Sequence, residues 1–253
     1  MTAAAGDVLL AIRHLRKSFG GLKVADDISL DLRAGIVTTL VGPNGAGKTT
    51  LFNMITGLLA PEAGTIEWQG RSLLGLPHWK IARLGIARSF QDLRLFSHMT
   101  VEDNLLTAME PGAWLWQPGG RAEKQRRRDR VADILAATRL VAQARVRAAD
   151  LSYAQRKFLS VARVMATGAR LWLLDEPASG LDRGSYEVFL ELLRGEVRRG
   201  VTVCIIEHNL DIVIGISDRI AFLDRGRLLA DGTPASVLDD PHLAAIYFGE
   251  RAA

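Results

Sequence analysis

Apolar positions along this chain fall into short continuous runs separated by polar turns and by stretches of helical period. Residues 37–41 (VTTLV) form one such run, closed by Gly42, and a helical pattern from 48 to about 59 follows it. Residues 171–174 and 201–206 are two more, each too short for a helix and each closed by a polar turn. Runs without polar alternation mark strands of a parallel sheet covered by helices on both faces. Residues 220–224 and 227–231 meet at Arg225-Gly226 and predict a hairpin. Residues 9–16, 28–32 and 65–69 predict strands of a smaller antiparallel layer. From about 101 to 167 the pattern reads as wholly helical. Val131, Ile134, Leu135 and Thr138 share one face there, and Phe158, Val161, Ala162 and Met165 share another. The prediction is an α/β core with a helical insertion.

Composition narrows the class. At 253 residues the chain has room for one large domain or two small ones. Apolar residues make up 48% and charged residues 24%, which excludes disorder as a class. A lone cysteine, Cys204, excludes a disulfide framework and a multi-cysteine metal site, and agrees with a reducing compartment. No apolar stretch reaches about 18 residues, so no bilayer-spanning helix is expected. Residues 1–7 carry no basic start of the kind a secretory signal has. The net charge of +4 and a pI near 9.5 raise the question of an anionic partner. The surplus is local. Residues 121–130 hold Arg121, Lys124, Arg126, Arg127, Arg128 and Arg130 against Glu123 and Asp129, and the remainder of the chain is balanced.

Two segments carry chemistry on their own terms. Gly42-Pro43-Asn44-Gly45-Ala46-Gly47-Lys48-Thr49 fits G-x-x-x-x-G-K-[ST] between a predicted strand and a predicted helix, the context the motif needs. Its glycines let backbone N–H groups turn inward as an anion nest, and the helix start adds positive potential. Lys48 would reach the β- and γ-phosphates and the Thr49 hydroxyl would hold Mg²⁺. The run at 171–174 ends in Asp175-Glu176. A carboxylate there can bind Mg²⁺ beside a phosphate loop, and a second can take a proton from an attacking water. Strands also end in acidic residues for purely local reasons. Taken alone, this pair leaves both readings open.

Four further segments stand in order around these two. Gln91 follows the strand-like 86–90, and Leu151-Ser152-Tyr153-Ala154-Gln155 opens a helix. Ser179-Gly180-Leu181-Asp182 lies just beyond Glu176, and His208 follows the strand at 201–206. With all six in this order, the chain from about 8 to 250 resembles the nucleotide-binding subunit of an ATP-binding cassette (ABC) transporter. The resemblance implies a P-loop NTPase fold of class α/β: one ABC ATPase domain over 8–250 with a parallel sheet, a small antiparallel β layer and a helical subdomain at about 101–167. It implies ATP and Mg²⁺. Position by position, it implies that Phe19 stacks on adenine and that Gly42, Pro43, Asn44, Gly45, Ala46, Gly47, Lys48, Thr49 and Thr50 wrap the phosphates. Thr49, Gln91 and Asp175 would surround the ion. Glu176 would be the catalytic base, His208 the γ-phosphate switch, and Lys48 and Gln91 would complete the catalytic set. Ser152, Ala154, Gln155 and Asp182 would meet nucleotide across a head-to-tail dimer, with Asp182 bridging its two halves.

The family's usual Leu-Ser-Gly-Gly-Gln has Tyr153 and Ala154 in place of its glycines. Alanine allows close approach less freely and disfavours positive φ, so activity is expected to survive at a reduced rate. The resemblance further implies a second cassette, identical or different, and two membrane-spanning subunits docked near 87–96 and 99–105. An extracytoplasmic binding protein would act indirectly, and the subunit would sit on the cytoplasmic face of the inner membrane. Segments 89–104, 110–130, 207–220 and 244–250 look most like the branch that takes up branched-chain amino acids. Relatives of that branch carry urea or short amides, and cassettes of nucleic-acid or translation maintenance are the alternative from another class. The latter carry tandem cassettes or long coiled-coil insertions, absent from this sequence, so no nucleic acid is expected. The basic run at 121–130 reads as a solvated helix face, as a contact for anionic lipid, or less readily as a nucleic-acid contact, with Trp114 and Trp116 just upstream.

Overall fold

In this computed structural model the alternating and the continuous apolar runs sort into two different sheets. The structure describes residues 6–109, 120–241, 243, 245 and 246; Trp114, Trp116 and the ending at 247–250 lie outside them. The first sheet is antiparallel, in the order β2-β1-β4-β5, from β1 (Val8–Phe19), β2 (Leu22–Arg33), β4 (Ala63–Trp68) and β5 (Arg71–Ser72). The second holds β3 (Val37–Val41), β6 (Ile86–Arg88), β7 (Leu171–Asp175), β8 (Thr202–Ile206), β9 (Arg219–Asp224) and β10 (Arg227–Gly232), ordered β10-β9-β3-β8-β7-β6. Its pairs are parallel except for β9 with β10, which form the hairpin at Arg225-Gly226.

The central strands read as continuous runs because both of their faces are covered. Every residue of β3, β7 and β8 is buried. On one face, Val37, Trp172, Leu174 and Val203 join a core with Val101, Leu105, Val131, Ile134, Phe158 and Phe189. On the other, Leu40, Leu171, Leu173 and Cys204 join Leu51 and Phe52 and the inner face of the antiparallel layer, Leu10, Ile12, Leu30 and Ile66. This two-sided burial holds the loops at the strands' C-terminal ends in place.

The helices are α1 (Lys48–Ile55), α2 (His78–Arg83), α3 (Val101–Ala108), α4 (Arg121–Ala137), α5 (Tyr153–Ala166), α6 (Arg183–Arg198), α7 (Leu210–Ile216) and α8 (Pro234–Leu238). Three expectations need correction. α1 stops at Ile55 rather than near 59, because Thr56 turns its hydroxyl onto the Phe52 carbonyl and Gly57 takes φ 70°. The stretch 101–167 is not wholly helical: backbone bonds from Val101 to Val146 and from Ala148 to Met99 tie the start of α3 to the loop before α5. The β1–β2 hairpin runs well past the apolar pattern, to Phe19 and Leu22, because its polar tip is held by ladder bonds and needs no core. In β1, a bulge at His14 (φ 51°) lets Ile12 and Leu15 both face inward despite their odd spacing.

The first turns of α4 carry the basic run. Lys124, Arg126 and Arg128 are exposed, Arg127 pairs with Glu123 at 3.2 Å, and Gln125 donates to Asp129. These local pairs are those of a solvated helix face. Among the described residues no helix is long and apolar enough to cross a membrane.

Candidate active site

The loop between β3 and α1 is a tight structure made by close backbone approach. A β-carbon at Gly42 would fall 1.9 Å from the Leu223 carbonyl oxygen, and one at Gly47 2.3 Å from that of Val24. Both residues also have positive φ, 141° and 102°, so glycine is required twice over. The turn of the β9–β10 hairpin wedges beside the loop: the Gly226 N–H donates to Ala46 O at 3.0 Å, and Asp26 N–H donates to Gly226 O at 2.7 Å. α1 begins at Gly47 with no side-chain cap and no acidic residue in its first turn. Its first amides and its dipole therefore face the loop uncompensated by side chains, which suits a phosphate. Lys48 is buried, and its Nζ donates to Gly42 O at 2.7 Å and Pro43 O at 2.9 Å, closing the loop on itself.

Beside this loop β7 delivers its two carboxylates. Thr49 Oγ1 donates to Asp175 Oδ2 at 3.3 Å. The same oxygen takes a bond from Arg88 at 3.2 Å, and both of these side chains are almost fully buried. Arg88 also donates to Asn53 Oδ1 at 2.6 Å and lies over the rings of Phe52 and Phe90. Burial pushes the Asp175 carboxyl up while Arg88 pulls it down. One hydroxyl and one carboxylate suit a hard divalent cation that brings phosphate and water oxygens with it. Among the described residues no group of three His, Cys, Asp or Glu could hold an ion unaided.

Glu176 sits at φ 47°, a left-handed conformation rare for a non-glycine residue. Its carboxylate has His208 Nε2 at 3.0 Å from one oxygen and Gln91 Nε2 at 3.5 Å from the other. Three segments far apart in sequence thus converge on one carboxylate. Burial, and then Lys48, hold the His208 pKa below its usual value, against Glu176, so at neutral pH its neutral ring donates Nε2–H to the carboxylate. Next to it Glu207 is buried and accepts from the Ala178 N–H at 3.2 Å; burial pushes its carboxyl up to about 7. Glu176, Ser179, Gly180, Arg183, Glu207 and His208 line a cleft of about 680 Å³.

Residues 25–179 match the family model described as ABC transporter. The chain is 41% identical over 251 residues to the high-affinity branched-chain amino acid transport ATP-binding protein LivG of Salmonella typhimurium, covering 96% of this chain and 98% of that one. It belongs to the ABC transporter family. The corresponding protein BraF of Pseudomonas aeruginosa is 38% identical over 252 residues, with the same shares covered. A solved ATP-binding cassette of an ABC transporter in its ADP conformation superposes with a TM-score of 0.83 at 29% identity, over 96% of this chain and 99% of that one. The chain is therefore an ABC ATPase, a nucleotide-binding enzyme that hydrolyses ATP, and its α/β fold is the one its motifs implied.

The remaining predicted residues of this ABC ATPase sit on the β1–β2 hairpin and at the starts of α5 and α6. Phe19 is half-exposed at the tip of the β1–β2 hairpin, with Lys17 Nζ 5.3 Å from its ring. Ser152 and Gln155 form a reciprocal capping box at the start of α5, with bonds of 2.9 and 3.3 Å. Asp182 caps α6 through the Ser185 N–H, which holds its pKa low. Tyr153 and Ala154 are both helical residues of α5. The expectation that positive φ is at stake there is corrected: helical φ is negative, so only closeness of approach distinguishes Ala154 from glycine. Sequence reasoning missed Arg88, Lys157 and Glu207, none of which belongs to a motif. Lys157 is buried and donates from Nζ to the Glu176 carbonyl at 2.7 Å.

Proposed function

We propose that this ABC ATPase powers uptake of branched-chain amino acids through separate membrane-spanning subunits. The cargo reading rests on the printed function of the LivG and BraF relatives. The observation that carries the engine is the convergence of Gln91 and His208 on Glu176, next to the phosphate loop. Lys48 and the start of α1, with Gly42 to Thr50, hold the phosphates; Lys48 exchanges its loop carbonyls for phosphate oxygens as nucleotide enters. Thr49 and Asp175, with Gln91 alongside, would hold Mg²⁺. When bound, that ion neutralises phosphate charge and orients the terminal phosphoryl group. Glu176 takes a proton from the attacking water, and His208 holds the Glu176 carboxylate in place and reads the γ-phosphate. Arg88 offsets part of what burial costs the Asp175 carboxylate.

Phe19 supplies a face for adenine. Ser152, Ala154, Gln155 and Asp182 face the nucleotide of a second cassette, identical or different, packed head to tail. A groove of about 440 Å³ between Ile81, Phe90, Arg94, Ser160 and Arg163 suits a docking segment of the membrane subunits, and it lies against the loop that carries Gln91. An extracytoplasmic binding protein would deliver cargo to those subunits, and the cassette would sit peripherally on the cytoplasmic face of the inner membrane. Residues 8–250 are read as one ATPase domain with 101–167 as its helical subdomain, a reading supported by the core cluster shared between α3, α4, α5 and the central sheet. Replacing Glu176 by Gln tests the engine. The expected result is ATP binding retained and steady-state hydrolysis reduced by about 10²-fold or more, with an ATP-bound dimer accumulating in size-exclusion chromatography. Hydrolysis at the wild-type rate would overturn the assignment.

A further inference from the structure

Tyr153 stands where the family's usual signature has glycine, and its ring is used inside its own subunit. It is the first residue of α5 and is half-exposed. Its hydroxyl donates to the Ser179 carbonyl at 3.4 Å. A β-carbon on Gly180 would fall 2.9 Å from Tyr153 Cε1, so the ring covers that glycine, which sits at φ 76°. One helical turn on, Lys157 lies on the same face. Its Nζ is 5.6 Å from the Tyr153 ring centroid and 2.7 Å from the Glu176 carbonyl oxygen. Two side chains of one helix therefore grip both ends of the short loop from Glu176 to Gly180.

That loop has reason to be gripped. Glu176 holds a left-handed backbone that persists only where its surroundings fix it. The Glu176 N–H donates to Ile206 O at 3.0 Å, which secures the residue on its strand side. Lys157 secures the carbonyl on the other side, so the peptide that follows the carboxylate cannot rotate freely. Burying an ammonium to bind a neutral carbonyl is costly for packing alone, since a methionine would fill the same space without desolvating a charge. Glu207 is close enough for the Lys157 charge to act on it, yet the hydrogen bond itself goes to Glu176.

We propose that Tyr153 and Lys157 form a clamp by which the helix opening with the signature segment positions the catalytic loop of its own subunit. Both are positioning residues for Glu176. The N-terminus of α5 would then report its engagement with a partner's nucleotide directly to the carboxylate of its own site. This rests on the reading of Glu176 as the base.

The test is steady-state ATP hydrolysis by the full-length chain with MgATP, resolved into kcat and KM, with folding followed by thermal melts. Lys157→Met is expected to lower kcat about ten-fold or more while leaving KM within about two-fold, as misplacement of a catalytic group does. Lys157→Arg, which restores a cationic donor, should recover most of the loss. Tyr153→Phe keeps the ring and should lose about two- to three-fold, and Tyr153→Gly should lose more. An unchanged kcat in Lys157→Met, or an arginine variant no better than methionine, overturns the clamp. If Lys157→Met does not fold, the exposed Tyr153 decides: a Tyr153→Gly kcat equal to wild type overturns it. Glu176→Gln is measured alongside. Wild-type hydrolysis in that variant removes the base and the clamp together, whereas an inactive Glu176→Gln with unaffected clamp variants removes the clamp alone.

Discussion

The starts of α1 and α5 both face nucleotide in the proposed assembly, yet they are built in opposite ways. α1 opens on Gly47 in a left-handed conformation with no side-chain cap and no acidic first turn. α5 opens on a full capping box in which Ser152 and Gln155 satisfy each other's backbone groups. The first start therefore presents a permanent demand for an anion, and Lys48, resting on the loop carbonyls, adds its positive charge to that demand. The second is complete within its own subunit and gains from an anion without needing one. The difference matches the two tasks proposed for them: one subunit's loop would bind nucleotide alone, and the neighbour's α5 would join only when a pair closes. A binding site is thus prepared by leaving backbone groups unsatisfied, and a reversible contact by satisfying them first.

The largest break in this comparison comes from the α1 side. Gly47→Ala sets a β-carbon 2.3 Å from the Val24 carbonyl oxygen at φ 102°, so strain and overlap act together. The expected loss of stability is about 3 kcal/mol or more, and nucleotide binding should fall below detection because the loop must reopen. Chemical denaturation and equilibrium binding of a fluorescent ATP analogue measure the two. Tight binding in a folded variant would show that the loop tolerates a form other than the one seen.

What the sequence made legible follows the same division. The phosphate loop, Asp175-Glu176 and His208 are legible because each lies at the end of a buried run, where parallel-sheet topology gathers functional groups, whereas Gln91 gains its meaning only from the resemblance carried by all six segments. Arg88 could not: nothing in its neighbours distinguishes it from a surface arginine, and its buried pair with Asp175 forms only when β6 lies beside β7. Lys157 is hidden for a related reason, since a lysine at a helical position normally reads as solvated. Glu207 precedes the more conspicuous His208 and gave no signal of its own. The polar end of the β1–β2 hairpin escaped notice because ladder bonds, which carry no side-chain pattern, hold it. The helix does start at Ser152, as its sequence predicts, and Ala154 takes ordinary helical backbone rather than a positive φ.

The loop that follows Glu176 offers an intermediate effect, and one that depends on pH. Glu207 accepts from the Ala178 N–H in the loop between Glu176 and α6, and burial raises its pKa from 4.5 to about 7. Below the lower value the residue is protonated in both the folded and unfolded chain. Between the two the unfolded chain releases the proton and the folded one keeps it, so the contribution of Glu207 to stability falls as pH rises, then levels off above about 7. Glu207→Gln keeps the shape and the acceptor without the titration. Its stability relative to wild type should climb through that window by on the order of 3 kcal/mol and then stay constant. Paired thermal melts across the range give the difference directly, and a difference independent of pH would show that Glu207 is ionised throughout.

The smallest effect belongs to the α5 side. Ser152→Ala removes half of the capping box and should cost about 1 kcal/mol of stability, readable as a modest shift in a denaturant midpoint. Because the proposed assembly sets Ser152 against a partner's nucleotide, ATP binding by the isolated variant should be unchanged, whereas cooperative hydrolysis by the pair should fall. Gln155→Ala removes the reciprocal bond to the Ser152 N–H and separates the two contributions, since it weakens the cap while leaving the serine hydroxyl present. If both variants lose stability equally but only Ser152→Ala loses paired hydrolysis, the hydroxyl has two uses: it caps α5 in the single chain and donates to the partner's phosphate when the pair closes. If the two lose hydrolysis in step, the start of α5 acts through its helix dipole and its rigidity, and the contrast with α1 narrows to one of capping alone.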